Sequence, residues 1–403
     1  MPYFHGWTVV AATHVALFVV FGIGYSFAAF FTAFQGEFNA SRGDVALVFS
    51  IFGFLYFLIG AFAGVLTDRV GPRKVCVIGM VLLVLGLIAT SKATSIELLY
   101  VAYSVGIGLG VGFVYVPSVS AVQPWFVKKR GLATGLTVAG IGAGTLLGPV
   151  VGAWLIGQIG WRHAYEVFAI FALLVGGGAA LLIDNAPAKR GLFPDGESRA
   201  IGAPRQLPSG LMLREAARKP AFWYLYMGLL LCGIGLFVPM VHLAPYASDH
   251  GLTVETGALL TGLIGLGSMI GRFGLAGIGD RMPRTMLLGV TYLMMGGGLA
   301  LWLMSSTVLP LAIFAIVFGT GYGGMVALAP AITMDYFGAR NLAGILGVIY
   351  TGPGIGVGIG PWLAGVSYDL SGNYWLPIVG SIVCMVLALV ATLLLNREKA
   401  LGT

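Results

Sequence analysis

Arg272 lies inside an apolar run, 255–279, eight residues before Asp280 at the polar end of that run. In a helix this places the guanidinium roughly 12 Å from the end, near the middle of a hydrocarbon layer ~30 Å thick. Holding a cation there costs at least about 2.5 kcal/mol on insertion scales, so such a residue faces the interior of a helix bundle and marks a pathway or a ligand. No other apolar run supplies an equally deep acid, since Asp184 and Asp335 fall near run ends. A guanidinium is a planar fork of donors matched to a carboxylate. One fixed positive charge suits one negative charge, and a dianion would leave a buried charge unpaired. A second chemically capable residue is His242, between Pro239 and Pro245 in the run 221–247. Its ordinary pKa near ~6.5 makes it the natural proton carrier around neutral pH; the bland alternative is a histidine satisfied by backbone carbonyls. Neither a nucleophile–base constellation nor a metal-ligand cluster is visible, and no cofactor is expected.

The elements that must position these residues follow from composition. The chain has 403 residues, of which 58% are hydrophobic and 9% charged. A soluble chain carries roughly 25% charge. Runs of roughly 20 apolar residues instead cross a bilayer as helices, because a helix satisfies its own backbone polar groups. Apolar runs predict spans near 8–34, 44–66, 75–92, 97–123, 131–157 and 164–184, a polar linker over 185–220, and spans near 221–247, 255–279, 285–305, 309–337, 342–369 and 375–395. The expected fold is all-α, with twelve transmembrane helices in two six-helix bundles, 1–184 and 221–403. The first run begins at Trp7 without a basic leader and reads as a span, not a cleaved signal. The 63 glycines, including the series Gly106 to Gly112 and Gly352 to Gly360, read as packing faces or bends between helices, not nucleotide loops. Cys76, Cys232 and Cys384 lie in separate apolar runs and read as buried helix residues.

The net charge of +7 is a topology signal. Arg69, Arg73, Lys74, Lys128, Lys129, Arg130, the linker bases, Arg284 and Arg340 fall on one set of alternate loops; the other set holds only Arg42, Lys92 and Arg162. Basic loops stay inside, so both termini and the linker are expected in the cytoplasm, and no nucleic-acid partner is implied.

The halves repeat at an offset near 212 residues. Gly64-Val-Leu-Thr-Asp68-Arg69-Val-Gly71-Pro-Arg73-Lys74 matches Gly277-Ile-Gly-Asp280-Arg281-Met-Pro-Arg284; Gly148-Pro149 matches Gly360-Pro361; Trp125-Phe126 with Lys128-Lys129-Arg130 matches Tyr336-Phe337 with Arg340-Asn341. The motif at 64–74 resembles the signature loop of the major facilitator superfamily, and the six-plus-six layout extends the resemblance over the whole chain. That resemblance implies a cytoplasmic gate formed by Asp68, Arg69, Arg73, Asp280 and Arg281, and transport by alternating access at a site between repeats. A narrower resemblance, to bacterial relatives of monocarboxylate transporters and oxalate/formate exchangers, rests on Tyr3-Phe4-His5-Gly6-Trp7, Gln123-Pro-Trp125-Phe126 through Ala133, Val241 to Ala247, and Arg272 itself. It implies that Arg272 binds the substrate carboxylate. Two departures stand out. Animal monocarboxylate transporters carry an aspartate one turn before this arginine, where Ser268 stands here. Oxalate/formate exchangers carry a lysine in helix 11, where 342–368 holds no lysine or arginine.

Tyr115 and Tyr322 could donate phenolic hydrogen bonds to a substrate, and Tyr350 and Phe27 could line a cavity; aromatic packing competes with each. The expectation is a monomeric plasma-membrane transporter of small monocarboxylates such as lactate or pyruvate, in proton symport, with His242 and Arg272 as the coupling pair: the anion on Arg272 and the proton on His242 or its neighbourhood. Two alternatives stay open: an organic-anion exchanger without net proton movement, and a transporter-like ligand sensor.

Overall fold

In the computed structural model, residues 4–184, 187–196, 209–278, 282–338 and 340–401 are described. The expected gate residues Asp280 and Arg281 lie outside them. Helix α1 (Gly6–Phe38) bends at Ser26, and α2 (Arg42–Val70), α3 (Pro72–Ser91) and α4 (Ile96–Trp125) follow. A continuous apolar stretch, Arg130–Leu182, is divided by one residue, Gly160, whose φ of 76° and ψ of 161° are not helical. The six-residue loop expected between 157 and 164 is thus a single glycine hinge separating α5 (130–159) from α6 (161–182). In the second half come α7 (Pro220–Asp249), α8 (Val254–Ile278), α9 (Arg284–Leu303), α10 (Val308–Phe337), α11 (Leu342–Ser371, with a turn at Tyr350) and α12 (Trp375–Leu401).

Local chemistry sets the ends. Pro72 and Pro220 occupy first-turn positions, where a missing N–H costs nothing. Between α2 and α3, Gly71 takes φ 89°, a left-handed conformation that costs a side-chain-bearing residue about 1–2 kcal/mol. Ser41 and Asp44 form a reciprocal cap at the start of α2: Ser41 Oγ donates to Asp44 Oδ2 at 2.8 Å, and the Asp44 N–H donates to Ser41 Oγ at 3.1 Å.

Contacts divide the chain into two compact units. The first comprises Met1–Ala40 and Ile51–Pro204; the second comprises Ser41–Ser50 and Arg205–Thr403. The first turns of α2 therefore belong with the second unit.

Within each unit the helices meet along glycine seams. In the first, Gly140, Gly144 and Gly148 of α5 lie against the backbone of His14, Phe18 and Gly22 in α1; a Cβ on Gly144 would sit 2.7 Å from Gly22 N. In the second, Gly352, Gly356 and Gly360 of α11 lie against the backbone of Tyr226, Gly233 and Ile234 in α7; a Cβ on Gly356 would sit 2.7 Å from Ile234 N. The seams repeat at an offset of 212 (352 − 140, 356 − 144 and 360 − 148). The alternating glycines of α4 serve two neighbours. Gly106 and Gly110 face Gly86 and Leu83 of α3, whereas Gly108 and Gly112 face Phe52 and Ile59 of α2, as a helical period of 3.6 requires. These runs are packing faces. Cys76 and Cys232 are buried and Cys384 is half-buried.

The linker binds each unit at equivalent loops. Asp195 Oδ2 accepts the backbone N–H groups of Val127 and Lys128, both at 2.9 Å. At the other end of the linker, Leu211 N–H donates to Phe337 O at 2.8 Å and Arg340 N–H to Ser209 O at 3.2 Å.

Two predictions follow from this packing. Gly148→Ala and Gly360→Ala each drive a methyl into a carbonyl of the facing helix and should cost about 1–3 kcal/mol, read as a lowered Tm in detergent. Gly297→Ala, with nothing within 4 Å of the new Cβ, should leave Tm unchanged or slightly raised; equal losses at all three positions would refute the seam. At Asp195, burial raises the carboxyl pKa, but the backbone N–H groups of Lys128 and Val127 outweigh it, and the net shift is downward. A depressed pKa means that the anchor is present above the ordinary carboxylate range and is lost as pH falls through the lowered value. Tryptic cleavage after Lys128 and Lys129 at neutral pH should therefore accelerate in Asp195→Ala.

Candidate functional site

Arg272 is presented by α8 and is 6% exposed. Its neighbours include a hydroxyl and an aromatic ring. Its Nε donates to Ser268 Oγ, one turn earlier, at 3.2 Å, and its guanidinium carbon lies 5.7 Å from the centre of the Tyr322 ring on α10, within cation–π range. The helices can bring these groups together because their backbones touch. Gly267 and Gly271 of α8 face Ile316, Gly319, Thr320 and Gly324, and Gly319 and Gly323 of α10 face Ile264 and Ser268. Side chains larger than hydrogen at these glycines would force α8 and α10 apart. Ser268 supplies a neutral acceptor where an aspartate would supply a carboxylate.

His242 is fully buried on α7. Its Nε2 lies 2.9 Å from Pro361 O and its Nδ1 lies 3.1 Å from Tyr374 Oη. The carbonyl can only accept, so Nε2 carries the hydrogen and Nδ1 of the neutral ring accepts from the tyrosine. Tyr374 Oη in turn accepts from Arg42 Nη1 at 2.6 Å. Burial pushes the Tyr374 hydroxyl above the usual phenol range, so it remains a donor.

Arg42 stands at the start of α2, within the second unit. It pairs through two donors with Asp249 of α7, at 2.7 and 2.6 Å, and its guanidinium carbon lies 3.8 Å from the centre of the Tyr368 ring. Asp369 of α11 accepts the backbone N–H groups of Arg42 at 2.9 Å and Gly43 at 2.7 Å, so it satisfies the orphan donors of the first helical turn. Sequence reading counted Arg42 only as a topology residue and missed Tyr374, Asp249 and Asp369. Its one usable signal was three charged residues beside span ends on the same side of the membrane.

The remaining expected residues are placed as follows. Tyr350 is half-buried at the turn within α11. In the first unit Tyr115 is half-buried and meets Phe21 edge to face with ring centres 5.3 Å apart. Phe27 is fully buried against Phe31, Phe34 and Tyr103, a packing position. His14 Nδ1 donates to Leu136 O at 2.7 Å, fastening α1 to α5. Asp68 and Arg69 are exposed at the end of α2. Arg73 Nε donates to Ile183 O at 2.7 Å, and its terminal nitrogen lies 3.7 Å from Asp184, which also accepts from Arg190. In the second unit Arg284 pairs with Asp335 at 2.7 Å.

Among the described residues, long apolar helices in two repeated sets, one of them carrying a buried guanidinium, define a multi-pass membrane protein of the transporter class. The chain belongs to the Major Facilitator Superfamily, whose family model matches residues 13–309 and 233–402. It is similar to monocarboxylate transporter 13 of Rattus norvegicus, 28% identical over 374 residues that cover 92% of this chain and 84% of the relative. It is also similar to monocarboxylate transporter 2 of Homo sapiens, at 24% identity over 92% of this chain and 80% of the relative. An uncharacterized transporter of this superfamily, YhjX of Escherichia coli, is 26% identical over 87% of this chain and 85% of its own. Among solved structures, a bacterial homologue of the human lysosomal transporter Spinster aligns with a TM-score of 0.77 at 17% identity, covering 99% of this chain and 98% of that one. This likeness supports the major facilitator fold.

The α8–α10 seam carries a prediction. Gly323→Val should push α10 away from Ser268 and separate Arg272 from Tyr322. Purified protein should then lose about 1–3 kcal/mol of stability, read as a lower Tm, whereas Tyr322→Phe, which keeps the ring face, should melt close to the wild type.

Proposed function

We propose that this transporter carries small monocarboxylates of the lactate or pyruvate type across the plasma membrane by alternating access, together with a proton, as a monomer with both termini in the cytoplasm. The observation that carries the reading is Arg272: a nearly buried guanidinium whose helix partner is the neutral Ser268 rather than an acid. A carboxylate matches the charge and the planar donor fork of this guanidinium. Tyr322, whose ring lies beside the guanidinium, is proposed to donate its phenolic hydrogen to the same anion. The relatives named as monocarboxylate transporters support this substrate class. His242 is the group proposed to take the proton. Carrying one anion with one proton moves no net charge, so a pH gradient alone can drive accumulation. Asp68, Arg69 and Arg73 are proposed to serve the cytoplasmic gate.

Ser268 also favours a second reading, anion exchange without net proton movement, because it cannot titrate in place of an aspartate. Uptake of labelled L-lactate into proteoliposomes separates the two. Under symport, an inward proton gradient raises uptake in wild type. Arg272→Ala abolishes it, and Arg272→Lys leaves less than about one tenth, because an ammonium cannot reproduce the planar fork. Uptake that ignores the gradient and requires a preloaded anion establishes exchange. Full uptake by Arg272→Ala removes the arginine from the site.

A further inference from the structure

The Arg42 cluster is not used by the transport chemistry proposed for Arg272. It joins a helix end, a loop tyrosine and the buried histidine in one unbroken line of hydrogen bonds. Pro361 O accepts from His242 Nε2, His242 Nδ1 accepts from Tyr374, Tyr374 accepts from Arg42, and Arg42 pairs with Asp249. With the imidazole neutral, every polarity in this line is dictated by its ends, since a carbonyl can only accept and a guanidinium can only donate. A cavity of about 400 Å³ borders it, lined by Tyr246, Asp249, His250, Tyr368, Asn373 and Tyr374 among others. Protons thus have a route to the tyrosine end of the line.

We propose that Tyr374 is a positioning residue that makes the grip on Arg42 depend on the protonation of His242. The step is a proton addition with no other bond change. A proton added at Nδ1 turns that nitrogen from acceptor to donor, so it now donates to Tyr374 Oη. The Tyr374 hydrogen loses its acceptor and must turn elsewhere. The phenolic oxygen is then shared between two cations, the imidazolium and Arg42. Among the described residues, the charged and titratable groups around this point include Asp249, Tyr246 and His250 of α7, Tyr368 and Asp369 of α11, and Asp44 in the cap of α2. His250 is occupied with its own helix, its Nδ1 lying 2.8 Å from Tyr246 O. The carboxylates of Asp249 and Asp369 already accept from Arg42 and from the backbone of α2. A second cation at the phenolic oxygen, and a carboxylate turning toward the displaced tyrosine hydrogen, both weaken the hold on Arg42. Acid loosens the first turns of α2 from α7 and α11, and neutral pH fastens them. This rests on the reading that His242 is the titrating group, but not on which anion is carried.

Hydrogen–deuterium exchange of the purified full chain in nanodiscs tests it without a substrate. Exchange of backbone amides over 42–50 is compared between about pH 8 and about pH 4, a window that reaches below the ordinary histidine range, after correction for intrinsic amide rates. In wild type, protection of this segment should fall about tenfold or more at the acidic end, while that of the α8–α10 seam stays constant. His242→Gln offers an amide N–H to Pro361 and a carbonyl to Tyr374 without titrating, so its protection should stay high and flat. Tyr374→Phe keeps the ring but cuts the line, so protection should be lower at neutral pH and no longer respond to acid. Wild-type protection that ignores pH, or a pH response that survives in either variant, overturns the proposal; survival in Tyr374→Phe reduces that residue to packing. Loss of lactate uptake in the separate transport assay, with this pH response intact, would strike the substrate reading alone.

Discussion

Inside a bilayer the force that assembles soluble proteins is missing, because a leucine gains nothing by leaving lipid for another leucine. Helices must instead be held by van der Waals contact at short range, and backbone comes close to backbone only where side chains are absent. That constraint explains the glycine content and, through it, the placement of the chemistry. The seam of Gly267, Gly271, Gly319 and Gly323 brings Arg272 to the face of Tyr322. The seam of Gly352, Gly356 and Gly360 brings Pro361 O within reach of His242.

Charge is handled in two ways. On the side of the membrane that carries few basic residues, each of the three is neutralised within its unit: Lys92 by Glu166 at 2.6 Å, Arg162 by Glu37 at 2.8 Å, and Arg42 by Asp249. Deep in α8 the strategy differs. Arg272 meets a hydroxyl and an aromatic face, neutral groups that stabilise a cation. The first arrangement suits structure, and the second fits the anion site proposed for it.

Much of this was legible in the residues because it depends on properties that are local in sequence. Spans follow from apolar length, and Arg272 stands out by its depth in one. The repeat at 212 residues, read from a few matched motifs, recurs as matching seams at 140, 144 and 148 and at 352, 356 and 360. The break at Gly160 was read as a loop because a hinge of one residue leaves no polar signature. What stayed hidden was facing. Helices that are apolar on all sides carry no stripe to show which side looks inward, so Phe27 could not be told from a cavity residue. The Arg42 cluster was hidden for another reason. Its partners lie 207 and 327 residues away in the chain, and its tyrosine comes from the short turn between α11 and α12, where neither periodicity nor span length says anything.

The linker's two anchored ends have a consequence for its length. Asp195 fastens the stretch after α6 to the loop between α4 and α5, and Ser209 and Leu211 fasten the stretch before α7 to the corresponding loop of the other repeat. Each half therefore carries its own tail, tied to its own framework. A change of length between the two tails would leave both anchors, and the framework each is tied to, in place.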